Sequence, residues 1–585
     1  MDQVEALLQQ LEKAQQDNHQ EMKPSLLKEI EKAFSALNDF HRSTVSFQHA
    51  TTLASAIKDR QSESALLNSL GNIYRQLALP YYAIGLYEHA LMIAREVGDL
   101  KLEGDILNNL GLIFQDLHEF SPAIKHAEQA LLIAQNLGDR EAESATLLNS
   151  GTAYAQLKEY QRAIADFDRT LDLAPDNAKA YHNRGSAYGN LGEHQRAIAD
   201  FNRALDLAPG NVRAYYNRGS AYSNLGEYQR AITDFNQALD LAPNNANTYH
   251  NRGSAYDSLG EHQRAIADFD RAIDLAPNDA NAYHHRGIAY GSLGEYQRAI
   301  ADFNHAIDLA PNDADIYHSR GDAYSSLEEY QRAIADFDHA LDLAPDNANA
   351  YHSRGDAYDN LGEHQRAIAD FDRALNLAPG DAKAYHHRGS VYDSLGEHQR
   401  AIADFNRAID LAPGNAKAYH HRGSAYDSLG EYLWAIADFN RALDLAPNDA
   451  NAYNNRGIAY DNLGEHQWAI DDFDRAIGLT PGDADIYYNR GIAYGNLGEY
   501  QRAIADFDCA LDLAPGDADI FYDRGIAYGN LGEYQRAIAD FDRAIDLAPK
   551  DADTYYGKGW ALEGLGRKKE AQQAYRRARE LGYNE

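Results

Sequence analysis

A single cysteine, Cys509, stands in a chain of 585 residues, so no internal disulfide can form and a reducing compartment fits the composition. Long apolar runs are also missing, and no stretch reaches the length needed to span a bilayer, so membrane insertion is not expected. The opening residues, MDQVEALLQQ, hold neither a basic region nor a hydrophobic segment; no signal peptide is expected, and a soluble cytoplasmic protein is. Basic side chains are scarce: 54 Lys and Arg stand against 89 Asp and Glu, a formal net charge of −35. Such a surface repels a nucleic acid backbone, which is held by clustered Lys and Arg, so nucleic acid is not an expected partner. It favours basic protein segments, or simply serves solubility. Also absent are a phosphate-cradling glycine loop, a paired-cysteine metal motif and an HExxH helix.

What the chain has instead is repetition. Prolines recur every 34 residues from Pro175 to Pro549, and thirteen units of 34 residues fill positions 144–585. A fixed period of this size signals a stacked array in which each unit buries its apolar face only against its neighbours. The block from Ala178 to Asn211, AKAYHNRGSAYGNLGEHQRAIADFNRALDLAPGN, predicts two short amphipathic helices. Tyr181, Tyr188 and Leu191 form an apolar stripe on the first, and Gly192 ends it. Ala197, Ile198, Phe201, Ala204, Leu205 and Leu207 form the buried side of the second, which Pro209 stops; Asn211 is placed to cap the next helix. Gly185 and Ala197 are small where two helices must approach closely.

Tyr181, Gly185, Tyr188, Ala197, Phe201, Ala204 and Pro209 occupy the fourth, eighth, eleventh, twentieth, twenty-fourth, twenty-seventh and thirty-second positions of the unit. In these columns the chain resembles the tetratricopeptide repeat (TPR) family, in the style of bacterial multi-repeat arrays. The resemblance implies an all-α solenoid, a right-handed superhelix of about sixteen helix–turn–helix units, with first helices lining a concave groove. One departure is systematic. The family's usual leucine at the seventh position is arginine, from Arg184 to Arg524, and the twenty-third position is aspartate, as in Asp200 and Asp234. An Arg–Asp pair at the helix interface is expected, although the first 34-residue unit keeps Asp166 opposite Ser150, and the last has Lys558 and Ala574.

Upstream the period lengthens to 40, in units 64–103 and 104–143 that end in VGDLKLE and LGDREAE. Residues 24–63 look like a degraded copy, with Ala33, Phe34, Leu37, Phe47 and Ala50 in register. Residues 1–23 predict a capping helix with Val4, Leu7, Leu8 and Leu11 on one face. The expected organisation is therefore a cap (1–23), three 40-residue units (24–143) and thirteen 34-residue units (144–585), the last a basic cap carrying Arg567, Lys568, Lys569, Arg576, Arg577 and Arg579.

Catalysis needs a one-off constellation. Here nearly every residue type recurs with the period, so no enzyme, cofactor or resident metal is expected. Aspartates such as Asp313 and Asp315 are read as helix caps. Histidine fills the fifth position at His182, His250, His284, His318, His352, His386 and His420, with His285, His387 and His421 directly after three of them. A structural or solvated role is the favoured reading of this column, with pH-tuned partner binding or a metal as the alternatives; adjacent histidines on one helix do not converge on a point, so any bridging must come from neighbouring helices. The sixth position holds Asn183, Asn217, Asn251, Asn455 and Asn489. The family resemblance implies that the fifth and sixth positions face the groove and that an asparagine ladder there grips an extended peptide. Asp322 and Asp356 add acidity. Trp434 and Trp468 replace the usual arginine at the nineteenth position, with Leu433 beside the first, and suggest a second surface. Together these features predict a non-catalytic scaffold for protein or peptide partners with basic segments. The alternative is a regulatory sensor whose 40-residue units bind a signalling peptide or effector protein.

Overall fold

The computed structural model describes residues 58–583 without interruption, together with Ala6, Gln9, Gln10, Lys13, Ala14, Leu26, Glu29, Thr51, Thr52 and residues 54–56. Most of the cap expected over 1–23 and most of the degraded unit at 24–63 lie outside the described residues. Helices and the turns between them account for the described residues, with no strand among them. The chain divides into two compact units, residues 1–309 and 310–585.

In the first unit, long pairs come first: Arg60–Gln76 with Pro80–Val97, then Leu100–Asp116 with Phe120–Leu137. Each first helix here starts four residues before the boundary that the 40-residue period suggests. The reason is local. Asp59, Asp99 and Asp139 cap the helices, accepting from the backbone N–H of Ser62, Leu102 and Ala142. From Tyr160 onwards the short pattern takes over, with first helices of 13 residues such as Ala178–Asn190 and second helices of 14 such as His194–Leu207. The second unit repeats it from Ala314–Ser326 to Lys568–Glu580.

Each pair is held by a few recurrent contacts. Asn211 caps the helix Val212–Asn224 by accepting from Ala214 N–H, and Asp313 does the same for Asp315, so these loop aspartates and asparagines are caps. Gly192 closes its first helix with φ +78°, a left-handed conformation. Ala208, before Pro209, is driven into extended backbone (φ −139°), which ends the second helix. Phe201, Ala197 and Ala204 are fully buried. Leu191 departs from its expected place: it sits at the C-cap, 36% exposed, because the stripe of Tyr181 and Tyr188 has run out of helix.

The arginine at the seventh position makes the expected pair and more. Arg184 grips both carboxylate oxygens of Asp200 in its own pair and also Asp168 of the preceding pair, Nη1 to Oδ1 at 2.6 Å. The bonds to Asp200 raise the Arg184 pKa further above its ordinary value, against a smaller opposing effect of burial. The same fork recurs through Arg524, which holds Asp540 and Asp508. Asp166, facing Ser150 instead of an arginine, is pushed up in pKa by burial. In the last pair Lys558 reaches only the preceding Asp542.

Candidate functional site on the first-helix face

First helices of successive pairs touch one another through their fifth, sixth and ninth positions. The sixth-position side chain of one helix meets the fifth and ninth positions of the helix before it, at sequence separations of 35 and 31. In the first unit Asn183 donates to Thr152 Oγ1 (3.1 Å) and Asn217 to Ser186 Oγ (3.2 Å), while Asn251 donates to the Tyr216 hydroxyl (2.9 Å). In the second unit Asn455 Nδ2 lies 3.1 Å from His420 Nε2, and Asn489 donates to Asn454 Oδ1 at 3.1 Å. All five asparagines are therefore pinned through one amide N–H. Among the described residues, their carbonyl oxygens carry no hydrogen bond.

The fifth-position histidines are less open than a groove lining suggests. Each packs on the phenylalanine of its own pair, as His182 does on Phe201 at 5.7 Å, His318 on Phe337 at 5.6 Å and His420 on Phe439 at 5.6 Å. His284 is buried against Phe303 and His285. Burial lowers the pKa of His182, His250 and His420. A carboxylate 29 residues on, at the cap of the next first helix, faces three of the column: Asp279 lies 3.8 Å from His250, Asp381 3.3 Å from His352 and Asp449 3.7 Å from His420. Sequence reasoning missed these partners, although their constant spacing was available as a signal.

The first half of the second unit concentrates the ionisable groups. His352 Nε2 lies 3.1 Å from His387 Nδ1 and 3.4 Å from Asp356, and Asp356 lies 2.5 Å from His387. Burial alone would lower the His352 pKa and raise that of Asp356. Asp356 and Asp381 instead carry His352 above its ordinary value, and the two histidines carry Asp356 below its own. One pair away, His386 Nε2 meets His421 Nδ1 at 3.1 Å with no carboxylate between them, and His386 is pushed down to about 4, by burial and then by His421. Asp322 is pushed up by burial, which outweighs its neighbours His318 and Ser353. Nearer the end Asp523 accepts from the Tyr488 hydroxyl at 2.7 Å.

Trp434 and Trp468 are 63% and 60% exposed, and Leu433 is 69% exposed. Each tryptophan stacks on a tyrosine of its own pair, Tyr426 at 6.2 Å and Tyr460 at 6.3 Å. In other pairs an arginine takes that seat: Arg196 lies 4.0 Å over the Tyr188 ring and bonds its hydroxyl. Cys509 is an exposed free thiol whose pKa is raised by burial of the sulfur and neighbouring aspartates. No helix among the described residues is long and apolar enough to cross a membrane.

Helix pairs of period 40 and then 34, stacked within each unit with the second helix of one pair against the first helix of the next, define a helical repeat protein with the architecture of an interaction scaffold. The chain belongs to the tetratricopeptide repeat family: sequence profiles described as tetratricopeptide repeats match 61–136, 102–176, 151–215, 212–245, 235–267 and 254–320. Further tetratricopeptide profiles match 353–416, 416–449, 450–483, 484–517 and 522–584, and one described as TPR repeat matches 321–362. No curated protein matches the chain. Among solved structures, the APC/C hetero-tetramer Cut9–Hcn1 is 18% identical with a TM-score of 0.39, covering 78% of this chain and 96% of that one. A tetratricopeptide repeat protein from Parabacteroides merdae is 24% identical with a TM-score of 0.37, covering 42% and 98%. YrrB, a TPR protein with an unusual peptide-binding site, is 26% identical with a TM-score of 0.29, covering 32% and 97%.

Proposed function

We propose that the chain is a non-catalytic scaffold that holds protein partners, extended peptides with basic segments among them, along the first-helix faces of its repeats. The observation that carries this reading is the pinned asparagine. Asn183, Asn217, Asn251, Asn455 and Asn489 each spend one amide N–H on the preceding helix and keep a carbonyl oxygen. A carboxamide fixed in advance pairs with a peptide backbone whatever the side chain, and its ordering cost is met before binding. The histidines of the fifth position shape the same face, and Asp322 and Asp356 give it acidity suited to Lys or Arg. With first helices about 10 Å apart and an extended chain rising about 3.3 Å per residue, each repeat meets every third residue of a bound peptide. Many weak, equivalent contacts make avidity the source of affinity. Leu433, Trp434 and Trp468 form a second, apolar surface.

The test is affinity capture from a native lysate with the full chain, followed by mapping on Asn→Ala variants. Replacing Asn183, Asn217 and Asn251 together, and separately Asn455 and Asn489, is expected to weaken capture in proportion to the number removed. Unchanged capture by the fivefold variant overturns the groove reading. A single partner lost only when residues 24–143 are altered supports the sensor instead.

A further inference from the structure

We propose that His352, Asp356 and His387 form a binding site for a divalent first-row transition-metal ion such as Zn²⁺. The proposal stands apart from the scaffold reading and departs from the sequence expectation of no metal.

Three donors converge from two adjacent first helices. His352 and Asp356 are one helical turn apart on Ala348–Asn360, and His387 comes from Ala382–Ser394. Their ligand atoms lie within 4.8 Å of one another. A tetrahedral ion with metal–ligand bonds of about 2.0–2.1 Å has ligand–ligand edges of roughly 3.3–3.4 Å. Two edges are already close to this: 3.1 Å between His352 Nε2 and His387 Nδ1, and 3.4 Å between His352 Nε2 and Asp356 Oδ2. The third contact comes from the other oxygen of the carboxylate, Asp356 Oδ1, which lies 2.5 Å from His387 Nδ1, so the Asp356 side chain has to turn and draw back to present one oxygen to the ion. Two imidazoles and a carboxylate suit zinc and its neighbours in the first row better than calcium or magnesium.

The outer shell is also present. Asp381 Oδ2 lies 3.3 Å from His352 Nδ1. A proton held on Nδ1 by that carboxylate leaves Nε2 as the lone-pair donor, the arrangement by which a metal-binding histidine is usually oriented. The side chains of Asp356 and His387 are each 37% exposed, so an ion has access and water or a partner's donor can complete its coordination.

The repeat supplies its own controls. The same three positions hold His318, Asp322 and Ser353 one pair earlier, which lacks the second imidazole, and His386, Ser390 and His421 one pair later, which lacks the carboxylate. Around His182 they are Ser186 and Asn217, and around His420 they are Ser424 and Asn455. Of the seven histidines in the column, only His352 has both partners filled.

Cobalt titration of the full-length protein tests this, because Co²⁺ at a site of this kind shows ligand-field absorption in the visible. The wild type is expected to develop the band with one equivalent of Co²⁺ and lose it to Zn²⁺. Asp356→Ser and His387→Ser install residues that other pairs already carry at those positions, so the repeat tolerates them. Each is expected to weaken binding by more than the roughly 10–100-fold typical of losing an outer-shell partner. His386→Ala, outside the triad, is expected to bind as the wild type does. Absence of the band in the wild type, or equal Co²⁺ affinity in wild type, Asp356→Ser and His387→Ser, overturns the site.

Discussion

Arg354 holds Asp370 in a two-pronged grip, Nε to Oδ2 and Nη2 to Oδ1, both at 2.7 Å, while its Nη1 reaches Asp338 of the preceding helix pair at 2.5 Å. Asp370 is buried and Arg354 largely so, which makes breaking the pair costly. Asp370→Ala leaves the guanidinium with the half-exposed Asp338 in place of its buried two-pronged partner and is expected to destabilise that region by about 3 kcal/mol. Replacing both by leucine, the residue the family prefers at the seventh position, is expected to cost far less. In a long array local opening is the relevant quantity, so amide hydrogen exchange in the helices Ala348–Asn360 and His364–Leu377 is the measurement. Equal protection loss in the single and double variants contradicts the argument.

Gly287 faces the ring of Phe303 so closely that an added Cβ would stand 2.5 Å from Cε1. Phe303 is itself buried and has little room to retreat. Gly287→Ala is expected to cost about 1–3 kcal/mol through overpacking. Gly210, in the loop after Pro209, meets nothing within 4 Å. Gly210→Ala is expected to stay within about 0.5 kcal/mol of the wild type. Thermal or denaturant unfolding of the two variants side by side decides whether the eighth-position glycine is a matter of space.

Much of this was legible in the sequence because every unit repeats the same residue types at the same positions. Caps, the left-handed turn at Gly192 and the pairing of Arg184 with Asp200 each follow from residue types at fixed positions. The third partner, Asp168, was hidden because that column alternates with asparagine, as at Asn202 and Asn236. The candidate site was legible by column and not by contact. A face read one unit at a time shows His352 and Asp356; only the 35- and 31-residue links bring His387 to them. Leu191 was misplaced because periodicity says which side a residue faces and not whether a neighbour covers it there.

Glu328 takes the turn position that glycine holds in adjacent pairs, with φ +60° against +75° at Gly294 and Gly362. A side chain in left-handed backbone is strained, and Glu328→Gly is expected to stabilise its pair by about 1 kcal/mol. Slower hydrogen exchange in Ala314–Ser326 and Tyr330–Leu343 is the readout. Faster exchange means that the added freedom of the unfolded chain outweighs the relieved strain.

Trp434 and Trp468 occupy the seat of a stacking arginine, so restoring that residue leaves the tyrosine beneath covered. Trp434→Arg with Trp468→Arg is expected to change stability by less than about 0.5 kcal/mol per site. Binding of an apolar dye, or of any partner using this patch, is expected to fall. A large loss of stability with unchanged dye binding makes the tryptophans structural.

His386 lies against Phe405 and stacks on His421 with ring centres 4.9 Å apart. Burial and the charges of His421, His387 and Lys417, opposed by Asp356, push its pKa from an ordinary 6.5 down to about 4. Between those values the unfolded chain binds a proton that the folded chain does not. The contribution of His386 to stability is therefore complete above pH 6.5 and lost as pH falls toward 4. His420 and His421 are lowered by burial and act in the same direction. His352 is raised and opposes them: its contribution is complete below the ordinary value and fades as pH rises past the folded one. His126, His182 and His250 are lowered as well, so six lowered histidines stand against one raised, and the histidines together predict a loss of stability on acidification. His386→Tyr keeps an aromatic that the fifth position already accepts at Tyr216 and Tyr488, and removes the titrating group. Melting followed by circular dichroism is expected to show a smaller drop between pH 7 and pH 5 for His386→Tyr than for the wild type. Identical drops in the two proteins would show that protonation of His386 is not coupled to folding.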